Sequence, residues 1–351
     1  VPQTNKKMKK ILLLMSIGFL VVLLTQCKKD PEIPSSDAAQ FFVPKGWKMP
    51  VYNFEENAQS SKGFELGKKL FYDKKLSRDG TVSCGSCHQQ FAGFSHAAHS
   101  LSHGIEGNFG KRNAPALSNL AWHPYFMWDG GINHITVQPL APIQDPLEMG
   151  ADFNDIVNYL SSNEDYLKKF KDVFGSEEIN TQRILKALTQ FTALLISSNS
   201  KYDKYSRQED GITLSTEENE GLQLFNKRCN VCHTAPLFTN YGFVNIGLQP
   251  NLALQDSGRM RITQVEEDKY CYKVPSLRNV EFSSPYMHDG RFKTLDKAID
   301  YHFNKIYSMP NVSPILLNGN KLSTDEITKI IAFLKTLSDY EFLKDKRFSE
   351  P

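Results

Sequence analysis

Cys84-Gly85-Ser86-Cys87-His88 is the stretch from which this chain is read. Two cysteines separated by two residues, with a histidine directly after, form the covalent attachment signature of a c-type haem. The chemistry dictates the spacing. Two thiols add to the two vinyl groups of one porphyrin, and the next side chain, an imidazole, reaches the iron from the proximal side. The signature recurs at Cys229-Asn230-Val231-Cys232-His233. Zinc more often takes paired CxxC knuckles at closer range. The chain therefore reads as a two-haem protein. Cys84, Cys87, Cys229 and Cys232 are the anchors, and His88 and His233 are the proximal ligands.

The chain has 351 residues, enough for two domains of ordinary size. Hydrophobic residues make up 40% of it, sufficient for real cores. The formal charge of +2 points neither to nucleic acid nor to a strongly acidic partner. Of six cysteines, the two haems take four. Cys27 closes a targeting segment, and Cys271 is left as an ordinary semi-buried thiol. No pair is expected for a structural disulfide in the mature body.

Lys6, Lys7, Lys9 and Lys10 precede an apolar run from Ile11 to Leu24. A basic start and a short apolar core describe a secretory signal. The run is shorter than the ~20 residues a transmembrane helix needs. Leu24-Thr25-Gln26-Cys27 resembles a bacterial lipobox, although Gln26 departs from the usual small residue before the cysteine. Residues 1–27 are thus expected to be a signal peptide of lipoprotein type, with Cys27 as the lipid anchor. Export agrees with haem, because c-type attachment occurs outside the cytoplasm. The periplasm or cell envelope is the expected location. Residues 28–50, with several prolines and small polar residues, read as a flexible tether.

From Val51 the pattern is mainly α-helical. Ile184, Leu188, Phe191 and Leu195 share a helical face, as do Ile327, Ile330, Ile331, Leu334 and Leu337. Ser215 with Glu218, and Ser323 with Glu326, have capping-box spacing. Long alternation of the β type is absent. The body is also an internal duplication. Gly67, Leu70 and Phe71 precede the first haem motif, and Gly221, Leu224 and Phe225 precede the second. Pro115, Leu117, Asn119, Trp128, Asp129 and Gly130 match Pro275, Leu277, Asn279, His288, Asp289 and Gly290, each at a spacing of 160 residues. Two tandem cytochrome c-like domains are expected: an N-terminal one over 51–205 and a C-terminal one over 206–351. They would join near Lys201 to Asp210, and the last helix would be free to pack back on the first domain.

The two halves differ on their distal sides. By the same spacing Pro142 corresponds to His302. A proline cannot bind iron and a histidine can. The first haem is thus expected to keep an open face for a small molecule, and the second to be closed by a protein ligand and to transfer electrons. Axial ligation moves haem potentials over ~0.8 V, so the two irons should differ in potential. Tyr301, Met309 and Met287 are rivals of His302 for that distal position.

Taken together, these motifs resemble the bacterial di-haem cytochrome c peroxidase family, which includes the related di-haem enzyme of methylamine utilisation. The resemblance runs from about Phe64 to Asp339. It rests on both CxxCH motifs, on Arg112-Asn113-Ala114-Pro115, on Trp128-Asp129-Gly130 and on Pro142 through Glu148-Met149-Gly150. It rests also on Val274-Pro275-Ser276-Leu277-Arg278-Asn279 and Tyr286-Met287-His288-Asp289-Gly290.

The resemblance implies that the haem on His88 is the peroxidatic one. Glu148 matches the family's distal acid/base and Gln138 its distal amide partner. A carboxyl in an apolar pocket, its pKa raised by desolvation, can accept and return the proton that peroxide cleavage moves. Trp128 matches a tryptophan between the haems that offers an electron relay. Asn113, with the main-chain carbonyls of Ser283 and Pro285, matches a calcium site; the family commonly has threonine where Ser283 stands. Oxygen ligands suit calcium. His103, followed by Gly104, resembles a removable distal histidine, in a loop two residues longer here than in the form compared. The remaining histidines outside the motifs, His96, His99, His123 and His134, are expected at the surface or in loops. The implied activity is reduction of hydrogen peroxide by a small c-type cytochrome or copper-protein donor, with no nucleic acid, no membrane contact except the lipid anchor, and a homodimer as one assembly. The alternative is a di-haem enzyme that oxidises residues of a partner protein, whose second haem carries a tyrosine, which Tyr301 would supply. A pure electron-transfer cytochrome is a third class, disfavoured by Pro142 with Glu148.

Overall fold

Each half of the chain is framed by a crossing pair of helices. The computed structural model describes residues 40–351 apart from 210, 318 and 320. The targeting segment, Cys27 and the first part of the expected tether lie outside the described residues. In chain order the α-helices are α1 (Ser61–Tyr72), α2 (Cys84–Cys87), α3 (Leu140–Gln144), α4 (Phe153–Ser161), α5 (Glu164–Phe174), α6 (Thr181–Thr192), α7 (Lys201–Ser206) and α8 (Thr216–Arg228). They continue with α9 (Met260–Thr263), α10 (Leu295–Asn304), α11 (Pro314–Leu317) and α12 (Thr324–Lys335). The described sheet is two short antiparallel strands, β1 (Phe243–Val244) and β2 (Tyr272–Lys273), with Phe243 opposite Lys273.

Local chemistry sets the helix starts. Ser215 with Glu218 and Ser323 with Glu326 form the expected capping boxes of α8 and α12. A third box, Ser200 with Asp203, starts α7 inside the segment read as the joint between halves. α1 packs on α6, and α8 on α12. The two crossings are built alike. A Cβ on Gly67 would lie 2.0 Å from Ala187 O and 2.9 Å from Phe191 Cβ. One on Gly221 would lie 1.9 Å from Lys329 O and 3.0 Å from Phe333 Cβ. Only glycine lets the backbones approach so closely.

The duplication reaches the backbone. Asn119 and Asn279 both have positive φ, at 61° and 57°, and so do Met127 and Met287, at 63° and 78°. Phe126 N–H donates to Ile132 O at 2.7 Å, and the matching Tyr286 N–H to Phe292 O at 2.7 Å.

Two hydrophobic clusters result. The larger draws on residues from Tyr52 to Ile196, and the smaller on Phe225, Phe238, Val280, Leu322 and the inner face of α12. α12 itself belongs to the smaller cluster. The chain after it crosses back, so that Phe342, Leu343 and Phe348 are buried in the larger one. Tyr72 Oη donates to Phe348 O (2.7 Å), and Lys68 Nζ to Arg347 O (3.0 Å). Residues 40–50, read as tether, are docked as well. Phe41 and Trp47 pack on the Trp122 ring, whose Nε1–H donates to Lys48 O at 2.8 Å. The aromatic side chains among the prolines explain the difference.

Candidate functional site

α2 carries Cys84 and Cys87 at its two ends, and His88 follows as its C-cap. His88 Nδ1–H donates to Phe94 O at 2.9 Å; a carbonyl can only accept, so the tautomer is fixed and Nε2 is left free to ligate. In the second motif His233 Nδ1–H donates to Phe238 O at 3.1 Å in the same way. Burial holds both imidazoles at about 4, well below the ordinary value, so they are neutral and able to ligate. Burial also pushes the Cys84 and Cys229 thiols up to about 12.

A cavity of about 500 Å³ opens beside α2. It is lined by Cys84, Cys87 and His88 and also by Gln138, Pro142, Glu148, Trp128 and His103. The structure therefore brings the first motif and the proposed distal residues to one chamber. Its size and its apolar walls, which include Phe71, Leu117, Met127 and Leu188, fit a large planar cofactor.

Glu148 is shaped by its neighbours. Burial raises its pKa and Asp145 adds repulsion, while Ser102 opposes both by donating from Oγ to Oε1 at 2.6 Å. Ser102 starts a small loop closed on itself: Gly110 N–H donates to Ser102 O, and Ser102 N–H to Arg112 O, both at 2.9 Å. A Cβ on Gly110 would stand 2.0 Å from Ser102 Oγ and 3.0 Å from Glu148 Oε1, so glycine lets the loop lie over the carboxyl. Ser102 escaped the sequence reading because 46 residues separate the partners.

Arg112, quoted above only within a motif, also lines the chamber, as do Asp256 and Arg261, which the sequence left unmarked. Arg112 meets Asp256 through two bonds of 2.7 and 2.6 Å and Asp129 through one of 2.6 Å. Arg261 Nη2 adds a second donor to Asp129 Oδ2 at 2.6 Å. Burial alone would raise the Asp129 carboxyl, yet the two guanidiniums hold it below its ordinary value. Next to this network Trp128 Nε1–H donates to Asn113 O at 2.9 Å, and Lys273 N–H donates to Trp128 O at 2.7 Å. Trp128 thus touches both halves of the repeat.

His302 lies on α10, half-buried, with Nδ1–H donating to Ala298 O at 2.8 Å. It shares the fixed tautomer of His88 and His233, and it depresses His233 electrostatically, so the two rings are neighbours. Tyr301 is occupied elsewhere. Its hydroxyl donates to Gly247 O at 2.9 Å and accepts from Gln249 N at 3.0 Å.

Asn113 Nδ2–H donates to His99 O (3.1 Å) and Ser100 O (3.2 Å), and its N–H to His288 O (2.7 Å). Ala98 N–H donates to Ser284 O (3.3 Å), which brings this loop against the Ser283–Pro285 segment. His103 is exposed at the chamber, its ring stacked on Phe109 at 5.0 Å. His96 and His123, expected at the surface or in loops, lie in loops and are buried. His96 stacks on His99 at 4.2 Å, and burial followed by neighbouring histidines holds it neutral, with a pKa of about 4. A neutral imidazole is apolar enough to pack.

The family model for di-haem cytochrome c peroxidase matches residues 61–211. The chain is 35% identical over 287 residues to cytochrome c551 peroxidase of Nitrosomonas europaea, covering 81% of each. It is 33% identical to the methylamine utilization protein MauG of Methylorubrum extorquens, covering 78% of this chain and 77% of that one. Among solved structures, a MauG-like protein associated with microbial copper homeostasis superposes with a TM-score of 0.77 at 30% identity, covering 89% of this chain and 99% of that one. The diheme peroxidase BthA of Burkholderia thailandensis shares the fold, with a TM-score of 0.70 at 22% identity and coverage of 83% and 90%. With its mainly helical architecture, its two CxxCH motifs and these relatives, the chain belongs to the di-haem cytochrome c peroxidase family of oxidoreductases, whose members hold two haems.

Proposed function

We propose that this chain reduces hydrogen peroxide to water at the chamber beside α2, using electrons from a small c-type cytochrome or copper protein. One observation carries the reading. Glu148, half-buried and proton-avid, shares a chamber with His88, where Pro142 offers no competing iron ligand. Cys84 and Cys87 would hold a haem covalently with His88 as its ligand, and that haem would supply the redox chemistry for peroxide reduction. Glu148 takes a proton from one peroxide oxygen and returns it to the other, which departs as water. Ser102 holds Oε1, leaving Oε2 to handle that proton. Gln138 orients the peroxide from the same wall. Trp128 would relay electrons between the two haem sites, and His233 and His302 would hold the second haem. His103 is a removable ligand at the chamber mouth.

The halves 51–205 and 206–351 serve as peroxidatic and electron-transfer domains. Asn113, with the carbonyls of Ser283 and Pro285, holds a calcium ion between them. An anomalous-scattering map without a metal at Asn113 would remove that ion. Export to the periplasm or envelope, anchorage through Cys27, and dimer formation belong to the same reading. Tyr301, committed to Gly247 and Gln249, gives less support to a tyrosine-ligated enzyme with a protein substrate. The test is peroxide turnover with a reduced c-type cytochrome, paired with electron paramagnetic resonance of the resting protein. Turnover with one bis-histidine centre is expected. Two six-coordinate centres without turnover would leave only an electron carrier.

A further inference from the structure

A second, small cavity lies against the haem chamber. Its volume is about 40 Å³, and it shares Pro115, Leu117, Met127, Trp128 and Gln138 with the larger one. Lys273 and His123 line it from other directions. Both are deeply buried, at 9% and 8% exposure. Among the described residues no carboxylate or hydrogen-bond partner offsets the burial of the Lys273 ammonium. Burial brings its pKa down to about 8, with no carboxylate opposing the shift. His123 Nε2 is buried with no partner, as is the hydroxyl of Tyr241, whose ring lies 4.8 Å from the imidazole.

A buried cation and a buried ring nitrogen without partners, both beside one void, call for an anion. The void exceeds the space a single water needs, yet it is too small for a free organic ligand. It suits a carboxylate at the end of a larger group entering from the chamber. Haem offers that group. Its vinyl edge is fixed at the cysteines, and its two propionates leave the ring on the side away from them.

We propose that Lys273 and His123 form a buried carboxylate cradle for a propionate of the haem held at His88, with the cation contributed across the repeat from β2. The inference rests on the two-haem reading above. His123, neutral in its buried setting, donates the hydrogen bond that its orphan nitrogen otherwise lacks. Lys273 is fixed for the task by its own backbone, which bonds to Trp128 O. The ammonium opposes a positive iron, so it favours the ferrous state of that haem.

The test uses the full-length holoprotein as wild type, Lys273→Met, Lys273→Arg and His123→Phe. Three quantities are read: intact mass for two attached haems, the midpoint potential of each haem by spectropotentiometry, and the propionate-bending band in resonance Raman. Lys273→Met is expected to keep both haems and to shift the ferric/ferrous ratio of the His88 haem about tenfold toward ferric, about 59 mV for a one-electron couple. Its propionate band should move, and Lys273→Arg should restore both readings. His123→Phe keeps a stacked ring but removes the hydrogen bond, and should move the band alone; it decides the matter if Lys273→Met fails to fold. Unchanged potential and band, or a shift confined to the His233 haem, would overturn the cradle. A wild type lacking two haems overturns the cradle and the two-haem reading together. The expected shifts in the variants, with no peroxide turnover by the wild type, would sink the peroxidase reading alone.

Discussion

Glu148 shows how much a single carboxyl depends on a neighbour far away in sequence. Replacing it with glutamine keeps the shape and removes the base. The rate of reaction with peroxide, followed by stopped-flow mixing, should fall by ~10²- to 10⁴-fold while haem content is unchanged. Wild-type speed would take Glu148 out of the mechanism. Ser102→Ala tests the hydrogen bond that lowers the Glu148 pKa. Without that bond the pKa rises further. Because the base works ionised, activity is lost as pH falls through that pKa, so the acid limb of the pH–rate profile should move to higher pH. A limb that stays in place would show that Ser102 does not tune the base. Glu148 and Trp128 were named from local motifs and Gln138 from the family resemblance, and all three line one chamber. Ser102 and the ion-pair role of Arg112 were not legible in sequence, since the partners lie 46 and 144 residues away, at Glu148 and Asp256, and Lys273 meets its cavity with His123, 150 residues away. No local pattern records such a pairing.

At the scale of elements, the repeat is written in two glycines. Gly67 and Gly221 place α1 on α6 and α8 on α12 with nearly the same clearance. Alanine at either position should destabilise by ~1–3 kcal/mol, the usual cost of overpacking a tight contact. Chemical denaturation of the holoprotein measures it; two variants as stable as the parent would mean that the crossings relax freely. The helices themselves were readable, because apolar periodicity and the Ser–Glu boxes are local signals. Leu195 was read on the same face as Ile184, and it is buried, although α6 ends at Thr192. α7 was hidden because its box uses Asp203, whose carboxylate also meets Arg278 in a buried pair at 2.6 Å. Residues 41–48 looked like tether since prolines and charges outnumber the aromatic residues that dock them.

For the molecule as a whole, the segment after α12 matters most. Phe348 packs on Phe64, Phe94 and Phe191, and Gln90 Nε2 donates to Phe342 O and Asp345 O at 3.1 and 2.8 Å. Phe94 is the residue whose carbonyl fixes His88. Phe348→Ala should cost ~3–5 kcal/mol and disturb the absorption of the His88 haem before that of the His233 haem. Equal disturbance of both would argue against this route. The sequence hinted at a return of the chain but assigned it to a helix, since a short aromatic segment has no period to read. One consequence concerns the order of synthesis. A chain made from its N-terminus forms the Cys84–His88 motif early, yet the core behind that motif stays incomplete until residues 342–348 have followed. On the proposed reading, in which haem joins Cys84 and Cys87, those thiols stay loosely packed and reachable for attachment until residues 342–348 have followed.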